Sequence, residues 1–181
     1  MSKLFVDEIV HQSSQGSGTI TLGASGETVA LASGASQTMA VNTPAFYAHL
    51  SSNQTIGTAS YTKVQFDTEL FDTDNAYDNS TNYRFTVPSG EAGKYFIHGQ
   101  IMMTSSTDFD KINVAIYVNG SLVSFARTSN FNQNSQSVSN IRSLSVGDYV
   151  EIYIYHQQGS NQNIEGSNQA CHFYMSKLIG V

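Results

Sequence analysis

The chain is expected to fold as an all-β sandwich or jelly roll. Tyr and Phe supply ten residues each, with two prolines and no tryptophan among 181 residues, a usage that favours strands. From Pro44 onward no helical period of any length occurs; short runs alternate instead between apolar and polar residues. Turn signals separate these runs at the spacing of eight to ten short strands, which marks a sandwich or jelly roll.

The strands are expected over residues 45–50, 62–70, 83–87, 93–104, 111–118, 122–127, 137–144, 149–156 and 170–179. Asn119-Gly120 is a strong two-residue hairpin signal, because both central positions of such a turn need positive φ. Gly147-Asp148 is expected to close a second hairpin. Along 149–156, Val150, Ile152, Ile154 and His156 share one face and Tyr149, Glu151, Tyr153 and Tyr155 the other, since side chains alternate along a strand. The aliphatic face suits the interior, which leaves a tyrosine row outside. The closing strand splits similarly, with Phe173 and Met175 on one face and Tyr174 and Leu178 on the other.

Residues 1–42 differ in kind. The run GSGTITLGASGETVALASGASQT repeats small residues with brief apolar pulses at Ile20, Leu22, Val29 and Leu31. Each pulse is too short to build a core alone. Two readings stand: a flexible linker, or an arm that orders on a partner or on other copies of the chain. The paired Ile, Leu and Val residues favour the arm. Two parts are therefore expected, an N-terminal arm over 1–42 and a head over 43–181.

Composition narrows the function. The net charge is −6 and the eight basic residues are scattered singly from Lys3 to Lys177, so no stripe could follow a phosphate backbone and no nucleic-acid partner is expected. Charged residues make up 12% of the chain, about half the usual share; Ser, Thr, Asn, Gln and Gly supply the polarity. The single cysteine, Cys171, permits no intrachain disulfide and reads as a small buried hydrophobe. No segment approaches the ~20 apolar residues of a membrane span. The opening MSKLFVDEIVHQ has two acids inside its apolar run and no small-residue cleavage site, so a signal peptide is not expected.

Motifs for chemistry are sparse. There is no Gly-x-Ser-x-Gly elbow, Walker loop, HExxH or Cys-x-x-Cys, and the chain is expected not to be an enzyme. The histidines fall mostly within expected strands and read as ordinary sheet residues; His98 and His172 could meet on facing strands, though a metal pair is not the expected reading. The turn around Asp72, Asp74 and Asp78 offers the oxygens that calcium seeks, but Tyr77 stands where an EF-hand needs glycine and no Glu closes the loop. Its other reading is a solvated turn whose side chains cap their own backbone. Two polar loops, 129–136 and 157–169, are rich in amides. Asn130, Phe131, Asn132, Gln133, Asn161, Gln162, Asn163 and Ile164 are their receptor-binding candidates, with Phe131 and Ile164 expected to be exposed. Amides beside aromatic or apolar groups suit sugars, and loops on a rigid scaffold commonly carry recognition.

The aromatic spacing within 64–95 resembles the signature of C1q-domain proteins, relatives of the tumour necrosis factor heads. Phe66, Asp72 and Tyr77 match its Phe, Asp/Asn and aromatic positions. Phe85 and Gly93-Lys94-Tyr95 match the Phe and Gly-x-Tyr that follow, while Ile97 and Gly99 replace the family's final aromatics. LSVGDYVEI at 144–152 looks like the family's Leu-x-x-Gly-Asp-x-Val-x-Leu turn, PAFYAHLSS at 44–52 like its opening strand and FYMSKLIGV at 173–181 like its closing strand. The resemblance spans 44–181. It implies a C1q/tumour-necrosis-factor jelly roll, a homotrimer, and little chemistry. Tyr149, Tyr153, Tyr155, Phe173 and Tyr174 are the expected trimer-interface residues. The opening MSKLFVDEIVHQ…GTITLG is similar to the first residues of fibre and accessory structural proteins of tailed bacteriophages. That implies a virion protein made in the host cytoplasm. It would attach to other virion proteins through residues 1–42 and meet the host surface as a tail fibre or spike, or sit on the capsid as a decoration. The alternative is a soluble bacterial C1q-like binding module.

Overall fold

The computed structural model describes residues 43–104, 111–129 and 134–178. The arm over 1–42 and the candidates Asn130, Phe131, Asn132 and Gln133 lie outside the described residues. Thirteen strands are described: β1 (Ala45–His49), β2 (Gln54–Ile56), β3 (Thr62–Lys63), β4 (Thr68–Asp72), β5 (Tyr77–Asp78), β6 (Arg84–Thr86), β7 (Gly93–Met102), β8 (Ile112–Val118), β9 (Ser121–Thr128), β10 (Ser135–Leu144), β11 (Tyr149–His156), β12 (Gln162–Ile164) and β13 (His172–Lys177).

They form two packed antiparallel sheets. One runs β10-β7-β13-β1-β4 and the other β5-β6-β11-β8-β9, with β3 also on β11. A small ribbon, β12-β2, stands beside them. Successive strands seldom pair, apart from β5 with β6 and β8 with β9. The β8–β9 hairpin turns on Asn119 (φ 51°) and Gly120 (φ 73°), both in the left-handed region as the Asn-Gly signal requires.

Two expectations are corrected here. The run over 62–70 is not one strand: Thr62 and Lys63 pair with β11 in one sheet, and Thr68–Asp72 pairs with β1 in the other. The chain crosses the sandwich between them, burying Val64 and Phe66 on the way. Gly147-Asp148 does reverse the chain, with Gly147 at φ 84°, but the strands it joins belong to different sheets. A turn signal fixes a change of direction and not the strand that will be the partner.

The core lies between the sheets, and the signature aromatics meet in it. Phe66, Tyr77, Phe85 and Tyr95 are all buried. Phe46 stacks on Tyr77 at 4.6 Å and on Phe85 at 5.3 Å, and meets Phe173 edge-on at 4.8 Å. Full burial of such a ring contributes roughly 1.5–3 kcal/mol, so these aromatics dominate the head. Tyr77 hides its hydroxyl by donating to the Phe66 carbonyl at 3.0 Å, and its N–H donates to Asp72 Oδ2 at 2.8 Å. Cys171 is buried, as its sequence context implies, and burial pushes its thiol up to about 11.

Candidate functional site

The outer face of the β10-β7-β13-β1-β4 sheet is the most distinctive surface of the head. Strand alternation puts Tyr47 and His49 of β1, His172 and Tyr174 of β13, and Phe96 and His98 of β7 on that face, while their neighbours Phe46, Ala48, Phe173, Met175, Tyr95 and Ile97 are buried. The register places Tyr47 opposite Tyr174, Tyr174 opposite His98, and His49 opposite His172. The rings pack into one layer: Tyr47 on His172 at 5.3 Å, His98 on Tyr174 at 4.8 Å, and His98 on His172 at 5.7 Å. His98 and His172 meet as side-by-side residues of two neighbouring strands in one sheet and not across facing strands. Burial lowers the pKa of both imidazoles, reinforced for His98 by the charge of His172 and for His172 by that of His49. Tyr47 donates its hydroxyl to the Asn168 carbonyl at 3.0 Å, which fixes its ring.

Apolar side chains continue this layer to the sheet's edges. Phe71 of β4 lies opposite Tyr47, and Ile141 of β10 opposite Phe96; they are 50% and 56% exposed. Beside β10, the edge strand β9 of the second sheet adds Leu122 and Phe125, also exposed. Arg142 of β10 ties the two edges by donating to the Val123 carbonyl at 2.7 Å. One chain thus carries an aromatic face and, along its β9–β10 edge, a row of exposed apolar side chains.

The expected interface residues do not share one surface. Tyr174 belongs to the face just described. Tyr149, Tyr153 and Tyr155 lie on β11 in the other sheet and point away from the core on the opposite side of the sandwich. Their rings have partners there: Arg84 over Tyr149 at 4.2 Å, Tyr117 against Tyr153 at 4.2 Å, and Tyr61 against Tyr155 at 5.3 Å. Among them Glu151 is buried and paired with Lys63 at 2.8 Å. Phe173 is corrected outright: it is fully buried against Phe46 and cannot meet another chain. On a strand between two sheets the face away from solvent takes the large apolar ring, and Tyr174 takes the outside. Tyr47, Phe71, Phe96, Phe125 and Ile141 were not among the sequence candidates; the alternation in AFYAH at 45–49 is the signal that marks Tyr47 as outward.

Ile164 is also corrected. It lies in β12, paired with Gln54 of β2, and is fully buried. An isolated apolar residue in a polar loop is here the one that anchors the loop to the core. Asn163 is exposed, yet its side-chain oxygen accepts from the Thr55 hydroxyl at 2.8 Å, and Gln162 donates to the Ser160 hydroxyl at 3.2 Å. Asn161 is exposed.

The acidic turn is knit by its own backbone. Asp78 accepts from the N–H groups of Ser80 (3.1 Å), Thr81 (2.9 Å) and Asn82 (3.1 Å) and from the Asn82 amide (2.7 Å). Those bonds, with the Thr81 and Ser80 N–H groups foremost, hold its carboxyl well below the usual carboxylate range. Asp72 accepts from the N–H groups of Asp74 and Tyr77. The Thr73 hydroxyl donates to Asp74. Among the described residues no three His, Cys, Asp or Glu side chains are grouped so as to hold a metal ion. No helix among them is long and apolar enough to cross a membrane.

No protein-family model and no curated protein matches the sequence. Solved structures do match the fold. Eiger, a tumour necrosis factor from S. frugiperda, superposes with a TM-score of 0.58 at 12% identity, covering 76% of this chain and 93% of that one. The globular domain of the zebrafish complement 1qA protein gives 0.51 at 18% identity over 75% and 97%. The vertex protein P5 of PRD1 gives 0.59 at 10% identity over 77% and 99%. The head is therefore an all-β jelly roll with the fold of tumour necrosis factor and C1q domains.

Proposed function

We propose that the chain is a non-enzymatic structural protein that works as a homotrimer on a virion. Residues 1–42 attach it to other virion proteins, and the head faces outward as a tail fibre or spike, or as a capsid decoration, to meet a host surface or its glycans. The observation that carries the reading is the aromatic face lying beside an exposed apolar edge on the same protomer. Surfaces of this kind mark interfaces. When the edge of one copy packs on the face of the next, the contact is head-to-tail and is satisfied without a filament only if it closes into a ring. The sequence resemblance to C1q-domain proteins supports three-fold closure. The shared fold of a PRD1 vertex protein supports the virion reading. The second reading, a soluble C1q-like binding module, is favoured by the likeness to the zebrafish complement domain.

Two measurements test this. Light scattering on the full chain at micromolar concentration should report about three times the 19.7 kDa chain mass; a stable monomer overturns the trimer. Electron microscopy of purified particles carrying a label on this chain should show labelled virions. Unlabelled virions beside soluble labelled protein would favour the binding module.

A further inference from the structure

We propose that a polar cleft on the β3 edge of the head binds a neutral sugar ring, with Tyr83 as the platform on which it stacks. The inference deepens the reading of the head as a surface that meets glycans and rests on it. The cleft measures about 630 Å³, and Gln54, Thr62, Lys63, Gln65, Asp67 and Tyr83 are among the residues that line it, a size within the usual range for small-ligand sites. It opens where β3 joins β11, across the second sheet from β9. It therefore lies clear of the edge assigned above to the trimer.

Tyr83 is the unusual residue. All ten tyrosines fall among the described residues, and the other nine each have a ring partner, a cation over the ring or a hydrogen bond at the hydroxyl, as Tyr47, Tyr77 and Tyr95 do. Among the described residues nothing stacks on Tyr83 and no hydrogen bond reaches its hydroxyl. Its backbone sits at φ 49°, a left-handed conformation that costs a bulky residue energy and persists only where its surroundings impose it. Those surroundings are visible one residue earlier. The N–H and side-chain amide of Asn82 both donate to Asp78, and its carbonyl accepts from Lys63 Nζ at 3.0 Å. With Asn82 held from two sides, the next residue is forced through the turn. Asn or Gly would take that turn with less strain. Strained backbone clusters at binding positions, and here it carries an unstacked ring at the wall of a cleft.

The rest of the cleft is held by its own hydrogen bonds. Gln54 spans it, donating from Nε2 to the Lys63 carbonyl at 2.8 Å and accepting at Oε1 from the Gln65 N–H at 2.9 Å. Lys63 is already committed to Glu151. Asp67 accepts from the Ser51 N–H at 2.8 Å and hydroxyl at 2.6 Å. Lys63 is neutralised by Glu151, and the Asp67 carboxylate, held by Ser51, leaves the cleft one negative charge that disfavours an anion. What stays unengaged among the described residues is hydroxyl, amide and phenol: the side chains of Ser52, Thr62, Gln65 and Tyr83. They match a pyranose, whose hydroxyls exchange hydrogen bonds in its plane while its C–H face covers an aromatic ring.

The test is a glycan array probed with the full chain, followed by solution titration with the free saccharide that binds best. At least one uncharged hexopyranose glycan should bind. Tyr83→Asn should weaken that binding at least tenfold and leave the melting temperature unchanged or higher, because asparagine tolerates the left-handed turn. If Tyr83→Asn does not fold, Gln65→Ala, an exposed position, should weaken binding severalfold. Binding of acidic glycans only, binding of none, or full affinity in the variants would overturn the proposal. The array needs no particle and no trimer, so its outcome is separable from labelling of virions and from the mass in solution.

Discussion

Tyr174 of β13 lies directly opposite His98 of β7, and the two rings stack at 4.8 Å with their planes 28° apart. The pair sits at the centre of a face whose other rings, Tyr47, His172 and Phe96, pack around it. No carboxylate forms an ion pair with these imidazoles among the described residues. Lys94, on the same side of β7 as Phe96 and His98, is a cation of this face and adds no counter-charge. Neutral imidazoles suit such a surface, and protonated ones do not.

Acid should therefore weaken the head. Burial sets the folded-state pKa of His98 and His172 below the ordinary 6.5. As pH falls through about 6.5 the unfolded chain takes up protons that the folded one still refuses, so stability drops with acidification until the lowered folded values are passed. The melting temperature should fall between pH 7.5 and pH 5, and the slope should be shallower in His98→Gln and in His172→Gln. An unmodified chain with a flat profile across that range would contradict the assignment.

A charge placed on this face should dissolve the assembly. Tyr174→Asp puts a carboxylate into a layer of rings where a second copy would have to bury it without a partner, and breaking such burial costs several kcal/mol. The outward position means the fold itself loses little. Light scattering should report monomers with a circular dichroism spectrum like that of the unmodified protein. Tyr153→Asp, on the opposite face of the sandwich, should leave the mass unchanged; the reverse pattern would move the interface to the β11 face.

Much of the fold is legible because strand alternation and the demand for large core rings leave marks in sequence. The strand over Tyr149–His156 can be read to the residue, since four aliphatic or imidazole positions alternate with four polar or phenolic ones. The core rings Phe66, Tyr77 and Phe85 are marked in the sequence by their match to the C1q aromatic spacing, and the structure buries all three. The short strands are not legible. Gln54–Ile56 and Gln162–Ile164 each offer a single apolar residue, too little for any period, and their pairing is settled by which loops the sandwich brings together. That is why Ile164 reads as a loop tip and is in fact buried. Alternation also says which residues share a face of one strand but not which sheet the strand joins, so Tyr174 and Tyr153 read alike and lie on opposite sides. The strain at Tyr83 is a property of the turn before it and leaves no mark in composition.

The turn at Asp78 should matter through its own backbone. Its carboxylate gathers three N–H groups and an amide, and Asp78→Ala would leave them to water. Loss of such a capping side chain costs about 1 kcal/mol. Because the carboxyl is held below its ordinary range, the stability it contributes is present at neutral pH and is lost as pH falls through the acid range. A lower melting temperature at pH 7 in Asp78→Ala, with the difference narrowing towards pH 3, is the expected result. Chelator should change neither protein, since Asp72 and Asp78 already spend their carboxylates on the N–H groups of their own turns; a chelator-dependent fall in the unmodified chain alone would reveal an ion.

Gly166 should be the least replaceable residue of the β12–β2 region. A Cβ there would stand 2.1 Å from the carbonyl carbon of Ser52 and 2.3 Å from its Cα, both backbone atoms that no side-chain rotation can move. The close approach is held by a hydrogen bond, the Gly166 N–H donating to the Asn53 side-chain oxygen at 2.9 Å. Gly166→Ala must push the two chain segments apart. Overpacking of this kind costs about 1–3 kcal/mol, and the loss should register as a lower denaturant midpoint. By contrast Gly90, at φ 82° with open space around it, should respond to alanine only through backbone strain, with a smaller shift. The segment next to Gly166 runs directly into Gln54, which spans the sugar cleft. Gly166→Ala should therefore also weaken glycan binding although it touches no ligand. Comparing Gly166→Ala with Asn53→Ala separates the two causes: the second removes the hydrogen bond without the clash and should cost the smaller share of both stability and binding. Equal losses from the two would show that the hydrogen bond, and not the absence of a side chain, is what the site requires.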